Sequence, residues 1–169
     1  MLITRHELER HRIVVEKTFE PDSLDFQGED FRQIDSLTVK ATAELTGDEI
    51  CIRGVLRTRV EAACDRCLKP VPLPIEHEFD LIYRPMATIA LDGELELPED
   101  ELDIGFYEGE GIALGDVLTE QVILAVPMKV ICREDCRGLC PTCGVDRNAA
   151  ACSCPAPQPT SPFAALRGE

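Results

Sequence analysis

The chain has 169 residues, 44% of them apolar, and a net charge of −15. That length fits one domain with a small appendage, and that apolar share supports a core without covalent help. The negative field excludes a protein that coats nucleic acid nonspecifically, because such affinity rests on phosphate contacts.

The opening MLITRHELERHR alternates charges and lacks the apolar run of a secretory signal. No segment approaches the roughly 18 apolar residues of a membrane span. A reducing, cytoplasmic setting is the expectation, and there clustered cysteines favour metal over disulfides.

Residues 1–36 are mixed and charged, with one extended run, RIVVEKTF, read as a peripheral strand. In LTVKATAEL, Leu37, Val39, Ala41, Ala43 and Leu45 alternate with polar residues, the period of a half-buried strand. Gly47-Asp48 reads as a tight hairpin turn. The return strand places Ile50, Ile52, Leu56, Val60 and Ala62 on one face and Cys51, Arg53, Val55, Arg57, Arg59 and Glu61 on the other. After CDRC (64–67) and the breaker-rich KPVPLP, a third strand alternates Leu73, Ile75, His77, Phe79, Leu81 and Tyr83 with Glu76, Glu78 and Asp80. Short connections between these strands predict an antiparallel meander with one wet face.

Residues 84–101 read as a long acidic loop, and nine acidic residues with no basic one lie between Asp92 and Glu110. LDIGFY suits a short strand. GDVLTEQVILAVP then changes period: Val117, Leu118, Val122, Ile123 and Val126 share a helix face, with Asp116 as N-cap and Pro127 closing the segment. CPAPQPTSP predicts an extended linker and FAALR a short hook that docks back. The predicted class is α+β: an antiparallel sheet, open or barrel-like, covered by one main helix, with a zinc-ribbon-like C-terminal segment. The expected divisions are 1–131 for sheet and helix, 132–154 for the Cys-rich segment packed on it, and 155–169 for the tail.

Six of the nine cysteines lie in CREDCRGLCPTCGVDRNAAACSC, residues 132–154. Zinc takes four ligands in a tetrahedron, and two cysteines separated by two residues chelate one ion across a tight turn. Cys64/Cys67 and Cys140/Cys143 have that spacing, and Pro141 and Gly144 suit the turn. Cys132/Cys136 and Cys152/Cys154 are looser pairs. Four pairs suffice for one or two tetrathiolate zinc sites and leave Cys51 over. In one assignment Cys140, Cys143, Cys152 and Cys154 form a local site while Cys64 and Cys67 meet Cys132 and Cys136. In the other, Cys64 and Cys67 join Cys140 and Cys143.

Catalytic signals are thin, and the expectation is a protein that is not an enzyme and takes no small-molecule substrate. A redox CxxC needs a helix N-terminus to lower one thiol pKa, whereas CDRC lies between strands. His77 shares an apolar strand face with Phe79 and reads as a satisfied core histidine; His6 and His11 read as solvated. Arg53, Arg57 and Arg59 point one way, with Arg66 and Lys69 beyond, a candidate stripe for RNA phosphates. Against it, cross-strand pairing of Arg59 with Glu76 and Arg57 with Glu78 accounts for the same charges, and no aromatic residue interleaves to stack bases.

CDRCLKPVPLPIEHEFDLIY, the acidic loop, GDVLTEQVILAVPMKVIC and CRGLCPTCGVDRN…CSC together resemble the bacterial YceD family over roughly residues 35–167. The final PFAAL is similar to that family's C-terminal hook. The resemblance implies a small cytoplasmic protein linked to accumulation of large-subunit ribosomal RNA, with no established catalytic activity. Its implied partners are large-subunit rRNA or ribosome-assembly proteins, with no membrane. Arg147 departs from the family, which usually has Leu at that place. A zinc-stapled adaptor that binds only proteins, affecting rRNA indirectly, is the alternative.

Overall fold

The computed structural model describes residues 1–26, 28–88 and 104–155. Most of the acidic run and the C-terminal hook lie outside the described residues. The elements are β1 (Leu2–Thr4), α1 (Arg5–Leu8), β2 (Ile13–Phe19), β3 (Phe31–Gln33), β4 (Leu37–Thr46), β5 (Glu49–Ala63), β6 (Pro70–Pro85), a 3₁₀ turn (Met86–Thr88), β7 (Ile104–Tyr107), β8 (Gly111–Ala113) and α2 (Leu114–Ala125). The chain divides into two units. One contains Met1–Ala62 and Pro72–Met128; the other contains Ala63–Val71 and the chain from Lys129 onward.

The first unit is built on the alternation in β4, β5 and β6. Leu37, Val39, Ala41 and Ala43 of β4 are buried together with Ile50, Ile52, Leu56 and Val60 of β5 and with Ile75 and Phe79 of β6. Each such aliphatic side chain contributes roughly 1.5–3 kcal/mol by leaving water. β4 and β5 pair antiparallel from Thr38↔Arg57 to Thr46↔Glu49, so the loop between them is two residues long. Gly47 occupies its first central position with φ +62, the positive φ that a II′ hairpin turn requires there. β5 is long enough to pair twice: its last turn-free stretch also receives β3, with Phe31↔Ala62 and Gln33↔Val60.

The sheet order is β2-β4-β5-β6-β7, with β3 on β5, and this path is open, its end strands unpaired with each other among the described residues. The barrel-like closure is therefore not what forms. The expected peripheral strand is β2, which pairs antiparallel with β4. A second correction concerns β7. LDIGFY does contain a strand, but it runs parallel to β6, with Ile82↔Ile104 and Tyr83↔Gly105. The sheet is therefore mixed, and the length of chain between β6 and β7 meets the dozen or so residues that a parallel connection needs. A Cβ at Gly105 would lie 2.6 Å from the Tyr83 ring, so only glycine admits that aromatic beside the edge strand. Burial pushes the Tyr83 phenol up to about 12.

β6 extends to Pro85 and the 3₁₀ turn follows, so the acidic loop starts later than the composition suggests. Helix α2 starts at Leu114, with Ala113 at its N-cap and no side-chain cap; Asp116 lies inside the first turn instead. There its charge still meets the positive end of the helix dipole. Leu114, Val117, Leu118 and Val122 join the same core as the sheet, while Ile123 and Val126 are half-buried. Gln121 is buried among them, and its Oε1 lies 3.1 Å from His77 Nε2. His77 is thus satisfied from the helix. Two short features were not among the expectations: β1 pairs antiparallel with β8, and Thr4 forms a capping box with Glu7 at the start of α1, for which the spacing in TRHE was the available signal.

Candidate metal centres

The second unit gathers eight cysteines into two groups of four. Its construction begins with two turns of the same form. In CDRC, Leu68 N–H donates to Cys64 O at 2.8 Å, and in CPTC, Gly144 N–H donates to Cys140 O at 2.8 Å. The residue after the second cysteine is left-handed in both, with φ +60 at Leu68 and +73 at Gly144. Each turn aims backbone N–H groups at its first sulfur. Burial alone would raise the Cys64 thiol, but N–H groups of Cys132, Arg66 and Cys67 outweigh it and bring it to about 6. N–H groups of Cys143 and Thr142 bring Cys140 to about 6 as well.

CDRC is joined to the 130–139 segment through its two middle residues. Asp65 N–H donates to Val130 O at 2.9 Å, and Val130 N–H donates back to Asp65 Oδ2 at 2.7 Å. Arg66 Nη1 donates to the carbonyls of Glu134 and Cys136 at 3.1 and 2.9 Å. Leu139 N–H donates to Arg66 O at 2.8 Å. Gly138, with φ +70, passes so close that a Cβ there would lie 2.7 Å from Arg66 O. These contacts bring Cys132 and Cys136 onto the CDRC sulfurs. Cys67 Sγ lies 3.6 Å from Cys132 Sγ and Cys64 Sγ 4.0 Å from Cys136 Sγ.

The sulfurs of Cys64, Cys67, Cys132 and Cys136 all lie within 4.8 Å of one another, as do those of Cys140, Cys143, Cys152 and Cys154. A tetrahedron with Zn–S bonds of about 2.3 Å has sulfur–sulfur edges of about 3.8 Å, so the first cluster has the dimensions of a metal cage. The electrostatics point the same way. Against the two low thiols, burial and neighbouring sulfurs push Cys132 up to about 12, and hydrogen bonding to Cys143 with burial pushes Cys154 up to about 12. Four thiolates this close repel one another, and a thiophilic divalent cation removes that conflict by deprotonating all four. Both clusters fit such an ion. Cys64, Cys67 and Cys136 are buried and Cys132 is exposed; in the second cluster only Cys140 is buried. Cys51 stands apart, with its sulfur 3.9 Å from Thr46 Oγ1.

The arginine stripe faces one way as expected, but its partners are shifted. Arg57 Nη2 pairs with Glu76 Oε1 at 2.6 Å and Arg53 Nε with Asp80 Oδ1 at 2.8 Å, while Arg59 Nη1 pairs with Asp35 Oδ2 at 3.2 Å. The offset follows from the connection: Cys64 N–H donates to Lys69 O, and pairs stepped evenly outward from that bond match Arg57 with Glu76. Lys69 Nζ lies 2.7 Å from Asp146 Oδ2, which together with Asn148 hydrogen bonds holds that carboxyl down at about 2. Each candidate phosphate contact therefore has an acidic or carbonyl partner in the chain. The residue that sequence reasoning passed over is Asn148, whose amide nitrogen donates to Cys136 Sγ at 3.5 Å.

A mixed sheet covered by a helix, in a chain whose second unit holds two four-thiol clusters, defines a Cys-rich protein with two candidate tetrathiolate centres. The chain belongs to the YceD family: the model for "Large ribosomal RNA subunit accumulation protein YceD" matches residues 52–168. That span contains all eight clustered cysteines. Uncharacterized proteins of Mycobacterium bovis and Mycobacterium tuberculosis are each 28% identical over 110 residues, covering 64% of this chain and 50% of theirs. A maize protein named "Large ribosomal RNA subunit accumulation protein YCED homolog 1, chloroplastic" is 26% identical over 125 residues, covering 60% of this chain and 42% of its own. The chain thus spans about half the length, or less, of these curated relatives. No solved structure matches. No described helix is long and apolar enough to cross a membrane.

Proposed function

We propose that this protein is a non-enzymatic ribosome-biogenesis factor that supports accumulation of large-subunit rRNA by binding, through a unit stapled by two zinc ions. The observation that carries this reading is that the family match covers the residues whose sulfurs gather into two cage-sized clusters. Cys64, Cys67, Cys132 and Cys136 would hold one ion and Cys140, Cys143, Cys152 and Cys154 the other. Zinc bound by four thiolates has no open position for substrate, so its contribution is to fix a surface. That surface recruits large-subunit rRNA or an assembly protein.

A net charge of −15 favours a second reading, in which the direct partner is a basic assembly protein and the effect on rRNA is indirect. The neutralised arginines also support it: Arg53, Arg57 and Arg59 hold carboxylates already. Sedimentation of lysates with tagged protein tests both. Co-migration with large-subunit precursors, together with a fall in their rRNA on depletion, is the expected result; absence of both overturns the proposal. Nuclease treatment before capture separates the readings, since contact through RNA is lost and contact through protein survives. Alanine at Arg53, Arg57 and Arg59 weakens the association only if the stripe itself meets phosphate.

A further inference from the structure

Asn148 lies in the loop between Cys143 and Cys152, the loop that an ion in the second cluster would close from both ends. Its side chain nevertheless serves the first cluster. The amide nitrogen donates to Cys136 Sγ at 3.5 Å and to Asp146 Oδ1 at 2.7 Å. Its Oδ1 accepts from Arg137 N–H at 2.8 Å and from Arg133 Nη2 at 3.0 Å, residues adjacent to Cys136 and Cys132. Asp146, which also accepts Asn148 N–H at 2.9 Å, reaches the other half of the first cluster through Lys69, two residues beyond Cys67. The loop is pinned in place by Cys140 N–H to Val145 O at 2.8 Å and Arg147 N–H to Gly138 O at 3.0 Å.

We propose, resting on the reading that both clusters hold metal, that Asn148 is a positioning residue that couples the two centres: filling the second orders the loop that orients a ligand of the first. Outer hydrogen bonds of this kind commonly change metal affinity about 10- to 100-fold. An ion bridging Cys140/Cys143 and Cys152/Cys154 closes the loop that carries Asn148, so the ordering cost is met before the first centre binds. Coupling between binding equilibria is reciprocal, so the first ion tightens the second by the same factor. Among the described residues the hydrogen bonds of Asn148 reach Cys136 and none of its own loop's cysteines, which makes its effect on the other centre diagnostic.

The test is a zinc titration of metal-free full-length protein against a chromophoric chelator, with pulse alkylation read at each cysteine by mass spectrometry. In Cys152→Ser/Cys154→Ser, zinc affinity of the first centre falls about tenfold. Asn148→Ala produces a similar loss there while Cys140, Cys143, Cys152 and Cys154 stay protected, which shows the loop still folds. Adding Asn148→Ala to the double serine variant changes little more. Asn148→Asp keeps the acceptor for Arg137 and Arg133 but lacks the donor to Cys136, and it too weakens the first centre. Cys64→Ser/Cys67→Ser lowers the second centre's affinity by the same factor. Two ions bound to wild type, with first-centre affinity unchanged in Asn148→Ala and in Cys152→Ser/Cys154→Ser, would overturn the coupling and leave the metal reading intact. No uptake of zinc by wild type would overturn both.

Discussion

Leu68 and Gly144 stand at the same point of two copies of one turn. Each follows the second cysteine of a CxxC, each is left-handed, and each donates its N–H to the carbonyl of the first cysteine at 2.8 Å. Only one of them is the residue that conformation favours. A side chain in the left-handed region costs roughly 1–2 kcal/mol, and Leu68 is 64% exposed, so its side chain returns little by packing. Leu68→Gly is expected to stabilise the metal-loaded Cys-rich unit by about 1 kcal/mol, after the entropic cost of glycine. Gly144→Ala is expected to cost a similar amount. Denaturant unfolding followed by thiol accessibility reads both; a loss of stability in Leu68→Gly would contradict the strain argument.

Gly138 is constrained twice, by φ +70 and by Arg66 O at 2.7 Å from any added Cβ. Since that obstacle is backbone, no rotamer change relieves it. Gly138→Ala should cost roughly 1–3 kcal/mol from the conformation alone, and it should part CDRC from Cys136. The measurable result is faster alkylation of Cys64 and Cys67 at fixed chelator concentration. Protection equal to wild type would show that the close approach is dispensable.

The sheet unit answers to different substitutions. Leu118 is fully buried in the core shared with β4 and β5, and Leu118→Ala is expected to lower stability by about 2–5 kcal/mol. Gln121→Ala leaves His77 Nε2 without its partner and costs about 1–3 kcal/mol. Both residues belong to the first unit and the cluster cysteines to the second, so bound metal per chain should stay at the wild-type value while the thermal midpoint falls. Loss of metal in the freshly purified variants would show that the two cores are not separately responsible for their own units.

Removing metal should proceed in order. Cys64, Cys67 and Cys136 are buried, whereas Cys143 is exposed and Cys152 and Cys154 are half-buried. A competing chelator gains entry at the more open cluster first. Under mild chelation, alkylation of Cys143, Cys152 and Cys154 should precede that of Cys64, Cys67 and Cys136, and far-UV dichroism of the sheet should persist. The reverse order of alkylation would mean that burial does not govern release.

Much of the sheet could be read directly, because β4, β5 and β6 each carry alternation over enough residues to define a face. The buried rows at Leu37–Ala43 and Ile50–Val60 are the ones that pattern marks. Strands of three residues, such as β1, β3 and β8, carry too few alternations to be told from loop; β7 was legible in LDIGFY as a strand, but its parallel direction leaves no local signal. Helix α2 was legible as a face but not at its start, where Leu114 enters the helix without a side-chain cap. The arginine pairing was right in kind and two residues off in position, since the offset is set by the backbone bond from Cys64 to Lys69. Spacing alone left two ways of joining the cysteine pairs; the structure assembles the one that puts Cys64 and Cys67 beside Cys132 and Cys136. Asn148 had no signal at all, because its contact with Cys136 exists only once the loop has folded back.

The most direct test of the account is metal stoichiometry, by native mass spectrometry and elemental analysis on protein purified without added metal. Two zinc ions per chain are expected, falling to one in Cys64→Ser/Cys67→Ser and in Cys152→Ser/Cys154→Ser. Fewer than one tightly held ion per wild-type chain would contradict it.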